Sequence, residues 1–187
     1  TAISYKGKPV KCFTRWETLD AEYAAATGGD FRKDVESFLD GKISAKVWEV
    51  YAELQGKRFR TNYFDRINAW CRKMGVESTG HMISEHIVCD SCRRNGNPLV
   101  ALKGESLPGM DEIGSRTSDP EWLTLAVAQH AATRNGNGGL VELYALGPND
   151  MPAAHLRQMI WLASLFGVDH YLASMQVMDH KGLVEKH

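Results

Sequence analysis

Short apolar strands alternate with amphipathic helices in the second half of this chain, and that alternation restricts the fold more than any other feature. Extended segments are predicted at 76–79, 140–145 and 168–175, and helices at 118–133 and 150–166 separate the later ones. Helices of this length between short strands favour parallel strands joined by right-handed crossovers. The pattern therefore predicts an α/β fold.

The first part of the chain is predicted to be mostly helical. Apolar residues at helical spacing cover 16–26, 31–39, 43–55 and 63–74. In the last segment the stripe that we expect to be buried consists of Phe64, Ile67, Cys71 and Met74. We expect one domain over 1–187, with 1–75 as a helical lead-in and 76–187 as βα units.

Composition and charge exclude several functional classes. The chain has 187 residues, 43% of them hydrophobic, and 22 basic residues balance 23 acidic ones to a net charge of −1. This near-neutral charge argues against a nucleic-acid partner, and no apolar run approaches the roughly 20 residues of a membrane span. Four cysteines are too few for a disulfide-built scaffold in a chain of this length.

The beginning of the chain does not determine the cellular compartment of the protein. It starts at Thr1, without a basic start followed by an apolar run. We therefore expect that any signal peptide has already been removed, or that the chain is part of a longer protein. A secreted or periplasmic location is compatible with either expectation.

Acidic and imidazole side chains cluster where predicted strands end. The stretch 89–117, dense in Gly, Pro, Asn and Ser, is predicted to be a long functional loop. Because ligands bind at the carboxyl ends of strands in parallel α/β folds, residues at these positions are site candidates. The candidates are His81, Glu85, Asp111, Glu112 and Glu142. Such a set of side chains suits general acid–base catalysis on a polar substrate.

Glu142 is the sharpest of these candidates. It stands between Val141 and Leu143, so in a regular strand its carboxylate points to the face opposite theirs. The alternative is a buried ion pair, since an unpaired charge there would be unfavourable. The other candidates also have structural alternatives: helix capping or exposure for Glu85, a core position for His81, and local hydrogen bonds for Asp111 and Glu112.

A zinc site competes for part of the same segment. His81, His86, Cys89 and Cys92 include a Cys-x2-Cys pair preceded by two histidines, and zinc takes four such ligands in a tetrahedron. All four lie in one short stretch, which is too compact for the usual two-knuckle spacing. A local disulfide between Cys89 and Cys92, or two free thiols, would fit equally well. We therefore assign no metal and expect no cofactor.

Three segments carry a family resemblance. They are Tyr63-Phe64-x2-Ile67-x2-Trp70-Cys71-x3-Gly75-Val76-x2-Thr79-Gly80-His81, then Pro108-Gly109-Met110-Asp111-Glu112, and finally Leu140-Val141-Glu142-Leu143-Tyr144 with Leu165-Phe166-Gly167-Val168-Asp169. Together they resemble large multi-domain glycoside hydrolases of the α-L-rhamnosidase type. That resemblance implies a (β/α)8 barrel, a carbohydrate substrate and carboxylate catalysis.

The resemblance implies that Glu85 and Glu142 lie close to acidic residues of the active-site mouth, and on that basis we assign roles to the candidate residues. Glu142 and Glu85 would be the paired catalytic carboxylates, and His81, Asp111 and Glu112 would bind the sugar. A complete barrel takes about 250 residues, so we expect a partial or reduced TIM-type barrel with a helical N-terminal part. Its open strand edges predict a homodimer that covers them. A non-catalytic carbohydrate-binding or oligomerising module is the alternative to an enzyme, and a zinc-binding module is the third hypothesis.

Overall fold

A computed structural model describes residues 2–5, 8–11, 14–39, 44–83, 88–112, 136, 138–143 and 152–173. The chain begins with an antiparallel hairpin, β1 (Ala2–Tyr5) and β2 (Lys8–Lys11), which the helical lead-in did not predict. The predicted helix at 118–133 lies outside the described residues. Within the described ranges no helix is long and apolar enough to cross a bilayer.

The helices that follow confirm the predicted helical part. They are α1 (Leu19–Thr27), α2 (Phe31–Leu39), α3 (Ala45–Phe59) and α4 (Asp65–Lys73). Four side chains that are at most 1% exposed form their core: Leu19, Tyr23, Phe31 and Tyr51. The ring of Phe31 stacks on Tyr51 and meets Tyr23 edge-on. Aromatic packing therefore holds α1, α2 and α3 together.

A π-helical turn, Arg60–Phe64, joins α3 to α4 without a break. Beyond it, the buried face of α4 differs from the predicted stripe. Phe64 and Cys71 are buried as expected, but Ile67 and Met74 are exposed and Asn68 is buried instead. Asn68 Nδ2 donates to the carbonyl of Gly104 at 3.0 Å. The stripe was wrong at these positions because this tertiary hydrogen bond turns a polar residue inward.

A parallel sheet forms the second half of the described structure. Its strands are β3 (Thr79–Gly80), β4 (Leu107–Glu112), β5 (Gly139–Leu143) and β6 (Val168–Ala173), adjacent in chain order. Helix α7 (Ala153–Leu165) packs on one face. The core between them contains Met110, Val141, Met159, Ala163 and Val168. Helices with four parallel strands confirm the α/β class, and these strands alone do not make a closed barrel.

The described part of the segment 89–117, residues 89–112, is not the long loop that its composition predicted. Before β4 it contains α5 (Val88–Asn95), α6 (Pro98–Ala101) and a 3-10 turn (Leu102–Gly104). Asn97 caps α6, because its side chain accepts a hydrogen bond from the amide of Leu99 at 3.0 Å. Asn97 and Pro98 therefore begin a helix, although their residue types had indicated a loop.

Candidate functional site

The face of the sheet opposite α7 carries the sharpest sequence candidate. Val141 is fully buried in the core beneath α7, whereas the next residue along β5, Glu142, has a side chain that is 26% exposed. This alternation is what a regular strand requires. The carboxylate of Glu142 is thus half-buried on the face of the sheet opposite α7.

His81 approaches Glu142 across the sheet. His81 directly follows β3, and its Nε2 lies 4.0 Å from Oε2 of Glu142. The strand between them, β4, carries Gly109, which contributes no side chain. A methyl group at this position would lie 2.4 Å from the carbonyl oxygen of Gly80, so only glycine fits the close approach of β3 and β4. The structure therefore brings two of the predicted site residues together.

A hydrogen bond indicates which nitrogen of His81 carries the proton. Nδ1 lies 3.3 Å from the carbonyl oxygen of Met82. Because a carbonyl oxygen only accepts hydrogen bonds, this contact requires a proton on Nδ1. In the neutral ring Nε2 is then the proton acceptor, and it is the nitrogen that faces Glu142. A proton added to either group would lie between them, and this arrangement suits general acid–base chemistry.

For Asp111 and Glu112 the structure gives the strand positions, and Glu85 lies outside the described residues. In the strand register Asp111 of β4 is the Cα partner of Glu142, and Glu112 is the partner of Leu143. Both acidic residues thus lie at the carboxyl end of β4, next to the end of β5. For these two the description is limited to the backbone. Glu85 lies outside the described residues, so its predicted pairing with Glu142 stays a prediction.

The zinc hypothesis also stays a prediction. His86 lies outside the described residues, and the description of Cys89 is limited to its backbone. Cys92 is half-buried, and the buried Cys71 is a free thiol. Within the described ranges no group of three His, Cys, Asp or Glu side chains could hold a metal ion.

Sequence reasoning missed one buried carboxylate near the site. Glu105, which precedes β4, is only 3% exposed. Its Oε1 lies 3.0 Å from the point where a methyl group on Gly80 would stand. A side chain at position 80 would therefore press against this carboxylate. The sequence offered a weak signal, because Glu105 stands in a stretch whose Gly and Pro content indicated an exposed loop.

Comparisons with protein-family models, curated proteins and solved structures find no match for this chain. Only the geometry and chemistry of the site therefore indicate a function. The strongest features of that site are the contact between His81 and Glu142 and the acidic end of the neighbouring strand.

Proposed function

We propose that this chain is a glycoside hydrolase catalytic-domain fragment, or a reduced relative, that hydrolyses a glycosidic bond at the carboxyl edge of its sheet. The observation that carries the proposal is the half-buried carboxylate of Glu142 with Nε2 of His81 4.0 Å away. The resemblance to rhamnosidase-type enzymes supports the same residues. No cofactor is needed, because the chemistry uses carboxylates alone.

Glu142 would be one of two catalytic carboxylates. In glycoside hydrolysis one carboxylic acid protonates the leaving oxygen, and one carboxylate acts as base or nucleophile. Glu85 is the partner that the resemblance implies. Asp111 is a second candidate for this role, because it is the Cα partner of Glu142 in the adjacent strand.

His81 would bind a sugar hydroxyl together with Glu142. The 4.0 Å between Nε2 and Oε2 is too long for a direct hydrogen bond. An oxygen atom to one side of the pair could lie about 2.8 Å from both, which is an ordinary hydrogen-bond length. A hydroxyl group has one proton to donate, so it bridges the pair when either His81 Nε2 or the carboxyl group of Glu142 carries a proton: it accepts from the protonated group and donates to the other.

The test is hydrolysis of a panel of nitrophenyl glycosides that includes the α-L-rhamnoside. We expect release of nitrophenol by the unmodified chain and a rate at least about 100-fold lower for Glu142→Gln. Glu77→Gln is the matched control, because Glu77 is exposed and lies before β3. Sugar binding without turnover would favour the alternative of a non-catalytic carbohydrate-binding module. Unchanged turnover by Glu142→Gln would refute the assignment of Glu142.

A homodimer is part of the proposal. Among the described strands β6 pairs on one side only, with β5, and Leu172 in β6 is 53% exposed. An edge of this kind can pair with another chain. Sedimentation velocity should show a dimer, and Leu172→Lys should favour the monomer. A monomer at all concentrations would exclude this part of the proposal.

A further inference from the structure

A cavity lies away from the strand ends, where α3 meets the π-helical turn and α5. Its volume is about 350 Å³, within the range of small-molecule sites. The side chains that line it include Trp16, Gln55, Arg58, Phe59, Asn62 and Arg94. None of these residues belongs to the candidate glycosidase site. The cavity therefore needs an explanation of its own.

Two buried polar atoms in the lining residues have no hydrogen-bond partner. Gln55 is only 7% exposed, and its Nε2 donates to the carbonyl of Arg94 at 3.0 Å, but its Oε1 accepts no hydrogen bond. Arg94 Nε is likewise buried and donates to no acceptor. Buried polar groups are nearly always paired in folded proteins. An unused acceptor and an unused donor on adjacent side chains indicate a place for a ligand that offers the complementary pair.

The backbone holds these two residues close together. A methyl group on Gly96 would lie 2.3 Å from the amide nitrogen of Gly56, so α3 and the end of α5 touch backbone to backbone. The amide of Asn97 also donates to the carbonyl of Ala52 at 2.7 Å. Gln55 and Arg94 each lie close to this contact in sequence. The side chain of Gln55 is also held at α5 by its hydrogen bond to the backbone carbonyl of Arg94.

The charges in the cavity favour an anion at Arg94. The guanidinium of Arg58 is already occupied, because its Nη1 contacts Oε1 of Glu22 at 3.0 Å and the group lies over the ring of Trp16. Arg94 forms no ion pair with any carboxylate side chain that the structure describes. A carboxylate on the ligand would supply both the missing charge and the acceptor for Nε.

The aromatic walls favour a flat ligand. The rings of Trp16 and Phe59 line the same cavity, and aromatic faces pack well against other planar rings. We propose that this cavity binds a small aromatic carboxylate that bears a hydrogen-bond donor next to the carboxylate. The carboxylate contacts Arg94, the neighbouring N–H or O–H donates to Gln55 Oε1, and the ring packs against Trp16 or Phe59.

The probe is 2-aminobenzoate, measured by isothermal titration calorimetry on the whole chain. We expect saturable one-site binding with a dissociation constant below about 1 mM. Benzoate, which lacks the donor, and aniline, which lacks the carboxylate, should each bind at least about tenfold more weakly. Equal binding of 2-aminobenzoate and benzoate, or no binding of 2-aminobenzoate, would overturn the proposal.

Substitutions of Gln55 and Arg94 test the two proposed ligand contacts separately. Gln55→Leu should bind benzoate and 2-aminobenzoate equally, and Arg94→Met should lose most affinity for both. Arg157→Met is the matched control, because Arg157 is exposed on α7. A thermal melt of each variant verifies that it is folded, and Arg94→Lys, which keeps the charge, should restore part of the affinity. An effect of Arg157→Met as large as that of Arg94→Met would refute the site.

Discussion

Ser78 and Ser106 bind each other's backbone amides through their hydroxyl groups, immediately before β3 and β4. The amide of Ser78 donates to Oγ of Ser106 at 2.7 Å, and the amide of Ser106 donates to Oγ of Ser78 at 3.2 Å. Both residues are at most 5% exposed. This reciprocal pair aligns the two strands, and the alignment in turn determines where His81 lies relative to β4 and β5.

Replacing Ser106 by Ala should destabilise the sheet. The change leaves the buried amide of Ser78 without its acceptor, so we expect a loss of about 1–3 kcal/mol in the free energy of unfolding. Urea denaturation measures the loss. Ser44→Ala is the control, since Ser44 is exposed and its side chain makes no capping hydrogen bond to α3, so removal of its hydroxyl should change stability by less than about 0.5 kcal/mol. Equal losses in the two variants would contradict the role of the serine pair.

His81 and Glu142 should be coupled in the turnover of a glycoside. His81→Gln keeps a polar side chain but removes the ring nitrogen that lies 4.0 Å from Glu142, so turnover should fall. In the double variant with Glu142→Gln the two losses should not add, because the residues act as a unit. The measurement is kcat/KM for all four proteins. Fully additive losses would show that the two residues act independently.

Two glycines with similar backbone angles should respond differently to Ala. Gly75 has φ +72° and open space around it, whereas Gly96 has φ +74° and lies against the backbone of α3. Gly75→Ala should cost about 1–2 kcal/mol from its left-handed conformation alone. Gly96→Ala should cost about 1–3 kcal/mol more, because the added methyl group overlaps Gly56. Chemical denaturation of both variants tests this order, and equal losses would argue against the close contact of α3 and α5.

Stability at alkaline pH should depend on Tyr23. Burial of this side chain, together with its hydrogen bond to Asp34 and the charge of that carboxylate, raises the pKa of Tyr23 from 10.0 to about 12. Between these values the unfolded chain releases the phenol proton while the folded chain keeps it, so stability falls as the pH rises. A two-unit shift corresponds to about 2–3 kcal/mol.

Tyr23→Phe should remove that contribution. Unfolding free energies measured from pH 9 to 12 should fall by about 2–3 kcal/mol more in the unmodified chain than in this variant. Tyr63→Phe is the control, because Tyr63 is half exposed, and it should lose stability in parallel with the unmodified chain. Parallel curves for Tyr23→Phe as well would show that the raised pKa is absent.

Elements defined by local periodicity could be predicted from the sequence. Helix α7 is an example, because Leu156, Met159, Ile160 and Ala163 recur at helical spacing. Met159 and Ala163 are buried, and Leu156 and Ile160 pack beside them. Strand β4 could not be predicted, because Pro108 and Gly109 are typical of turns and only the neighbouring strands make them extended. Local propensity is weak evidence where tertiary contacts decide the conformation.

The sequence named His81 and Glu142 as candidates, but it could not give the geometry between them. The alternation around Glu142 showed which face it occupies, whereas its distance to His81 depends on the register of three strands. The sequence contains no local signal that Gln55 and Arg94 would lie close together. They do so because Gly56 and Gly96, which are distant in sequence, bring α3 and the end of α5 into contact. Interactions of this kind need the folded backbone.

The π-helical turn at Arg60–Phe64 sets the relative directions of the side chains before and after it. Such a turn contains one residue more than an α-helical turn, and each α-helical residue changes the direction of its side chain by about 100°. Deleting Asn62 would restore an uninterrupted α-helix, but Asn68 could then face Gly104 only if Gln55 turned away from Arg94. One additional residue therefore lets a single continuous helix face two neighbours in different directions.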